Sequence, residues 1–120
     1  MAERKTVTLE GDFLQLCRYV MDVVAKKTSY VKCGLSKSDK AKKVLTIELG
    51  VKDVRYRWRH AEAVLDKSDE RVTVDGVGDG ISIMIGDTEF VVKRNVTVDD
   101  IGGVMVIEIE LSDSDTVGCL

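Results

Sequence analysis

"VLTIELGVKDVRYRWRHAEAVL", residues 44–65, is the stretch of sequence that decides the fold. Apolar and polar residues alternate over 44–49, and the alternation resumes over 54–60. A period of two residues is typical of a β-strand that buries one of its faces. The pattern therefore predicts two strands, and the four residues between them, 50–53, predict a turn that would join the strands as a hairpin.

Two interpretations remain open for residues 54–65. A helix would place Val54, Trp58 and Leu65 on one face, whereas a strand would place Tyr56 and Trp58 on one face. Valine, tyrosine and tryptophan prefer strands, so the first half of the stretch is interpreted as a strand, while the second half fits a helix or an extended chain equally. On the strand interpretation both aromatic side chains point towards the core.

One helix and several further strands are predicted around this stretch. Residues 13–27 carry apolar side chains at helical spacing, and Asp12 can cap the start of this helix. Gly86-Asp87, between two alternating segments, predicts a type II′ hairpin turn. Residues 98–103 predict a turn or a single helical turn. The predicted fold is α+β, with one N-terminal amphipathic helix packed on an antiparallel sheet of about six strands.

The size and composition of the chain indicate a small globular protein. The 120 residues predict a single domain over residues 1–111 and a mobile acidic C-terminal tail over 112–120. No apolar run approaches the roughly 20 residues of a membrane span, and no secretory segment is recognisable, so a cytoplasmic location without membrane contact is expected. The three cysteines form no disulfide pattern, and Cys17 lies on the apolar side of the predicted helix.

Charge is strongly segregated along the chain. Residues 26–60 carry eleven basic and three acidic side chains, whereas residues 61–120 carry four basic and fourteen acidic ones. The net charge of −3 hides this asymmetry. Segregated charge creates local fields that attract charged partners or favour contacts between copies of the chain.

Catalytic and metal-binding motifs are not recognisable. A single histidine, His60, excludes a two-histidine metal site, and it is expected to be packed or hydrogen-bonded at the end of a strand. The glycine-rich segment 75–80 precedes a strand pattern rather than a helix, so it predicts a strand connection and not a phosphate-binding loop. We therefore expect no enzyme activity, no metal and no cofactor.

Three arginines stand at alternate positions and form the candidate site, the arginine row Arg55, Arg57 and Arg59. On a strand they would share one face at a spacing of about 7 Å. That face could be an ordinary solvated surface, or a row of guanidinium groups that binds phosphates or carboxylates. Four nearby lysines would add long-range attraction: Lys37, Lys40, Lys42 and Lys43.

The functional hypothesis is a small non-enzymatic binding module. Its basic region, residues 26–60, would contact an anionic partner: nucleic acid, a nucleotide or an acidic protein surface. A single-stranded nucleic acid is disfavoured if the aromatic side chains point into the core, because such binding needs aromatic and cationic groups on one surface. The alternative is a structural or interaction protein with a charge-segregated surface: a homo-oligomer, or a phage-type accessory or inhibitor protein that binds one protein partner.

Overall fold

The structure is a computed structural model and describes residues 5–37, 42–115 and 117. The first elements are β1 (Lys5–Leu9), α1 (Leu14–Asp22), a 3₁₀ helix (Val24–Lys27), β2 (Val31–Lys37) and β3 (Lys43–Arg57). The remaining strands are β4 (His60–Leu65), β5 (Arg71–Val77), β6 (Gly80–Ile85), β7 (Thr88–Val92), β8 (Val96–Ile101) and β9 (Val104–Glu110). The α+β prediction is confirmed, but the nine strands in the described residues exceed the expected six.

The predicted helix forms in two parts, because α1 ends at Asp22 and a 3₁₀ helix follows. Asp12 accepts a hydrogen bond from the amide of Leu14 at 2.9 Å, and so satisfies one of the free N–H groups at the helix start. The Tyr19 hydroxyl donates to the carbonyl oxygen of Ile85 at 3.0 Å, which fixes the helix to the sheet. The buried face of the helix is formed by Leu16, Cys17 and Val20. Neither described helix is long and apolar enough to cross a membrane.

The two strands predicted within residues 44–60 are one strand, β3, of 15 residues. The expected turn at 50–53 is wrong, because the chain continues into a pairing of Val51 with Leu65. The pairing register of β3 with β4 shifts between Lys52 and Arg55. Asp53 lies in this irregularity and adopts a φ of 55°. Aspartate tolerates a positive φ better than most residues, so it supports a β-bulge that bends the strand without ending it.

Strand β3 belongs to two sheets. Its first half pairs with β2 on one side and β9 on the other, and β8 completes this small sheet beside β9. Its second half pairs with β4, and β5, β6, β7 and β1 follow in that order to form the large sheet. Strand β1 lies parallel to β7, so the expectation of an antiparallel sheet holds for every strand pair except this one.

The structure also decides the turns that were predicted at residues 98–103 and at Gly86-Asp87. Residues 96–101 form strand β8, and the turn expected at 98–103 is confined to Gly102-Gly103. The hairpin at Gly86-Asp87 is confirmed, because Ile85 pairs with Thr88 and Gly86 has a φ of 64°. Glycine adopts this conformation without the steric cost that a side chain would add.

The core fills the space between the two sheets, and α1 covers one side of it. Its largest fully buried members from β3 and β9 are Leu45, Ile47, Leu49, Met105, Ile107 and Ile109, and those from the large sheet are Leu65, Ile83, Ile85 and Phe90. The inward-facing residues that alternation predicted in β3 are therefore correct. Burial of this apolar surface is the main favourable contribution to folding.

Part of the segment predicted as a mobile tail lies against the domain. The Asp115 carboxylate accepts hydrogen bonds from the Arg94 guanidinium at 2.8 Å and from the Ser112 amide at 2.8 Å. The Arg94 contact is the main cause that lowers the pKa of Asp115. Val117 is buried as well. Asp115 and Val117 thus contact the domain through a buried carboxylate and an apolar side chain.

Gly50 lies where β3 passes from the small sheet to the large one, and it generates the first prediction. A Cβ atom there would stand within 2.7–2.9 Å of the side-chain oxygens of Ser29, Asp66 and Thr28. We expect Gly50→Ala to lower the free energy of unfolding by about 1–3 kcal/mol, because overpacking must displace this hydrogen-bonded group. Urea denaturation measures the change.

The matched control is Gly34→Ala in β2, where a Cβ atom would meet no atom within 4 Å. This change should leave stability unchanged or raise it slightly, because alanine restricts the unfolded chain more than glycine does. Equal losses of stability in both variants would contradict the role given to Gly50.

Candidate functional site

The basic residues predicted as one surface lie at the two ends of β3. Lys37 ends β2 and pairs in register with Lys43, at the start of β3, while the arginine row lies at the end of β3. The lysine end is paired with β2 and the arginine end with β4, and the irregularity between Lys52 and Arg55 separates the two.

The lysine end is partly neutralised by its neighbours. Lys42 Nζ lies 3.0 Å from Glu110 Oε1 on β9. Lys40, which was predicted to belong to the same group, lies outside the described residues. The arginine end of β3 has all of its side chains within the described residues.

The arginine row does not share one face, because β3 ends at Arg57 and a two-residue turn follows. Arg55 and Arg57 stand opposite Glu62 and His60 on the outer face of the large sheet. Arg59 lies in the turn, where its φ of 55° is left-handed. The prediction of three arginines on one strand face is wrong for Arg59, since the turn redirects its side chain to the opposite side of the sheet.

The prediction that Tyr56 and Trp58 point into the core is wrong for Trp58. The Trp58 side chain is 87% exposed, the highest exposure among the large hydrophobic residues described. Tyr56 faces the same side as its buried neighbour Ala61, but it lies near the end of the sheet and stays 51% exposed. The hairpin tip, defined as Arg57, Trp58 and Arg59, thus presents an aromatic ring between two cations.

Arg59 is held in place by three contacts. Its Cζ atom lies 5.6 Å from the centroid of the Trp58 ring, within the range of a cation–π interaction. Its Nη2 donates to the carbonyl oxygen of Gly78 at 3.0 Å. Its guanidinium lies on Gly76, where a Cβ atom would come within 2.7 Å of Nη2. The absence of a side chain at residue 76 therefore leaves the space that Arg59 occupies.

Arg57 and Arg71, on β5, share a single carboxylate, that of Glu62. Glu62 accepts hydrogen bonds from Arg57 at 3.4 Å and from Arg71 at 3.0 Å. Both guanidinium groups are largely exposed, and exposed ion pairs contribute little to stability. A phosphate from a partner can compete for these arginines at a small energetic cost.

A cavity of about 310 Å³ opens beside the hairpin tip, between the two sheets. Tyr56, Arg57, Arg59 and His60 stand at its edge. Its apolar lining comes from both sheets and consists of Ala61, Val74, Ile81, Val96 and Val98. Burial raises the pKa of Tyr56, and the nearby carboxylates of Asp100 and Asp99 add to this effect. The cavity is therefore apolar inside, cationic on one side and close to two acids of β8.

The chain matches no protein-family model, no curated protein and no solved structure. The chemistry of the site must therefore be judged from its own residues.

His60 is hydrogen-bonded, as expected, and its neighbours do not form a catalytic triad. Its Nδ1 lies 2.8 Å from Asp75 and its Nε2 lies 3.3 Å from Glu62. In the sheet register Asp75 stands between His60 and Ser82, whereas a triad needs the histidine between the acid and the serine. The Ser82 hydroxyl donates instead to Glu89. Within the described ranges, no three His, Cys, Asp or Glu side chains are grouped to hold a metal ion.

Sequence reasoning missed the exposed tryptophan because the turn carries no turn residues. Two-residue hairpin turns usually contain glycine, asparagine or aspartate, and here the two positions are Trp58 and Arg59. The unbroken alternation over 54–60 was therefore interpreted as a continuous strand. The only available signal was the second period of alternation that begins at His60 and runs through Leu65.

A larger groove of about 460 Å³ lies on the outer face of the small sheet. Glu48 and Glu108 contribute carboxylates to it, and Val104 and Val106 contribute apolar surface. Ile101, at its border, is 63% exposed. The groove thus combines two carboxylates and one cation, Lys32, with apolar surface, and its carboxylates are opposite in charge to the hairpin tip.

The contact between Gly76 and Arg59 generates the second prediction. We expect Gly76→Ala to push the guanidinium away from the Trp58 ring, because the new methyl group would overlap it. Trp58 is the only tryptophan, so its fluorescence should change, while the free energy of unfolding changes by less than about 1 kcal/mol.

The control is the same change made in an Arg59→Ala background. There Gly76→Ala should leave the fluorescence unchanged, since no guanidinium remains to be displaced. A fluorescence change of the same size in both backgrounds would show that residue 76 affects Trp58 by another route.

Proposed function

We propose that the protein binds single-stranded nucleic acid through the hairpin tip. The observation that carries this proposal is the exposed Trp58 ring between Arg57 and Arg59. Proteins that bind single strands combine aromatic rings, on which bases stack, with cations that contact the backbone. Trp58 and Arg59 are in contact, so the tip offers a ring and a cation on one surface, and this supports the proposal against the expectation that both aromatic side chains lie in the core.

The backbone conformation of Arg59 supports the proposal. A left-handed conformation costs a non-glycine residue of the order of 1 kcal/mol, and glycine or asparagine would avoid most of this cost. Arg59 nevertheless occupies this position with a φ of 55°, and its side chain is fixed against Trp58. A charged side chain kept at a strained turn is consistent with a binding role.

The charge distribution supports contact at a limited site. Arg55 and Arg57 lie on one side of the tip, and Arg59 lies on the other. Residues 61–120 carry fourteen acidic and four basic side chains, so the surfaces that they form repel phosphate. A flexible single strand of nucleic acid can bend to contact such a small basic site, whereas a rigid duplex needs a longer basic surface.

A cytoplasmic location is part of this proposal. Within the described residues, Cys17 and Cys33 are free thiols. Free thiols persist in reducing compartments, where nucleic acid is also present. No catalytic step is included, because the proposed activity is binding alone.

The third prediction concerns binding of a labelled oligothymidylate, measured by fluorescence anisotropy at several salt concentrations. Each phosphate contact contributes a slope of about −0.7 in log K against log salt, so three arginine contacts give about −2. Trp58→Ala should weaken binding by about 1–3 kcal/mol through lost stacking. Changing Arg55, Arg57 and Arg59 together to alanine should abolish the salt dependence.

The control variant is Lys37→Ala, because Lys37 is exposed at the opposite end of β3. Its affinity and salt slope should equal those of the wild type. The proposal is wrong if the triple arginine variant binds oligothymidylate as well as the wild type does, or if the wild type does not bind it at low salt.

A second candidate function is self-association, which the groove on the small sheet favours. The carboxylates of Glu48 and Glu108 and the exposed Ile101 complement the cations and the ring of a hairpin tip from a second copy. Head-to-tail contacts of this kind produce rings or filaments.

The fourth prediction follows from this candidate and is tested by light scattering at low salt. An oligomer should form, and both added salt and added oligothymidylate should dissociate it, because nucleic acid and the groove would compete for the same tip. Glu108→Lys should also yield monomers, whereas Asp113→Lys, at an exposed acid outside the groove, should not. A monomer under all conditions excludes this candidate.

A further inference from the structure

We infer that the cavity beside the hairpin tip receives one nucleobase of the bound strand. This inference rests on the proposed function, and it adds a second binding element to the stacking surface of Trp58. The cavity measures about 310 Å³ and is lined by side chains from both sheets. Ligand pockets range from about 300 to 1,000 Å³, so this volume suits a single base better than a larger group.

The interior of the cavity fits the flat, weakly polar faces of a base. Ala61 and Val74 from the large sheet form one wall, and Val96 and Val98 from β8 form the wall across from it. Ala61 and Val74 are already buried in the core, so this wall is rigid. A base that enters between the two walls exchanges water for apolar contacts on both of its faces.

The rim supplies the polar groups that a nucleotide needs. The Tyr56 hydroxyl can hydrogen-bond to the edge of a base, and the Arg59 guanidinium, which also lines the cavity, can hold the adjoining phosphate. Arg59 is fixed by the Gly78 carbonyl and therefore stays at the rim. The cation thus lies beside the apolar walls, just as the phosphate lies beside the base within one nucleotide.

Two acids orient the nucleotide. Asp99 and Asp100 on β8 are close enough to Tyr56 to raise its pKa, after the larger effect of burial. A phosphate on that side would be repelled, so the strand must enter with its phosphate towards the arginines. The largely exposed Trp58 ring is then free to stack on a neighbouring base.

The test compares a strand of abasic sites with the same strand carrying two adjacent bases, in wild type and in Val98→Phe. The phenylalanine ring would fill the cavity, because Val98 lines it from β8. We expect Val98→Phe to weaken binding of the base-bearing strand about ten-fold, and to leave binding of the abasic strand and its salt dependence unchanged. Thr97→Phe, at an exposed position on the other face of β8, should match the wild type with both strands.

A measurement without any variant keeps the inference testable if Val98→Phe fails to fold. A strand in which 2-aminopurine is one of the two bases should show fluorescence protected from acrylamide when it is bound to the wild type. If Val98→Phe binds both strands as the wild type does, or if the bound 2-aminopurine stays fully accessible, the cavity does not receive a base, although the proposed function stands. If the wild type binds neither strand, the proposed function itself fails.

Discussion

One strand, β3, hydrogen-bonds within two sheets, and the rest of the structure depends on how it passes from one sheet to the other. Its first half hydrogen-bonds to β2 and β9, and its second half hydrogen-bonds to β4. At the change of partners, Gly50 allows close approach of the Thr28, Ser29 and Asp66 side chains, and the bulge at Asp53 bends the strand. The two inner faces can then close on one core, and the far end of β3 projects as the hairpin tip.

Local periodicity predicted several of the elements but not their number or their connections. The helix, the hairpin at Gly86-Asp87 and the inward face of β3 all follow from spacing within a few residues, and all are present. The parallel pairing of β1 with β7 depends on contacts between distant residues, which periodicity does not encode. The segment 50–53 has the composition of a turn, yet sheet pairing on both sides makes an extended, bulged chain the better solution.

The geometry around the arginine row differs from the predicted one. The turn at Trp58 and Arg59 separates Arg59 from Arg55 and Arg57 and exposes the indole ring, which was expected in the core. Sequence rules fail here because the residues contradict the local preference for glycine or asparagine in such a turn. Departures from local preference are concentrated at functional sites, where a side chain must be held in a specific place.

The parallel pairing of β1 with β7 has a consequence for how the chain is made. Thr6 and Glu89 are hydrogen-bonded neighbours although 83 positions separate them in the sequence. During synthesis the first strand therefore has no partner until nearly the whole domain has left the ribosome, whereas β4 to β7 can pair with neighbours as they emerge. Contacts between such distant residues are the kind that slow folding, and the edge of β7 stays uncovered until β1 pairs with it.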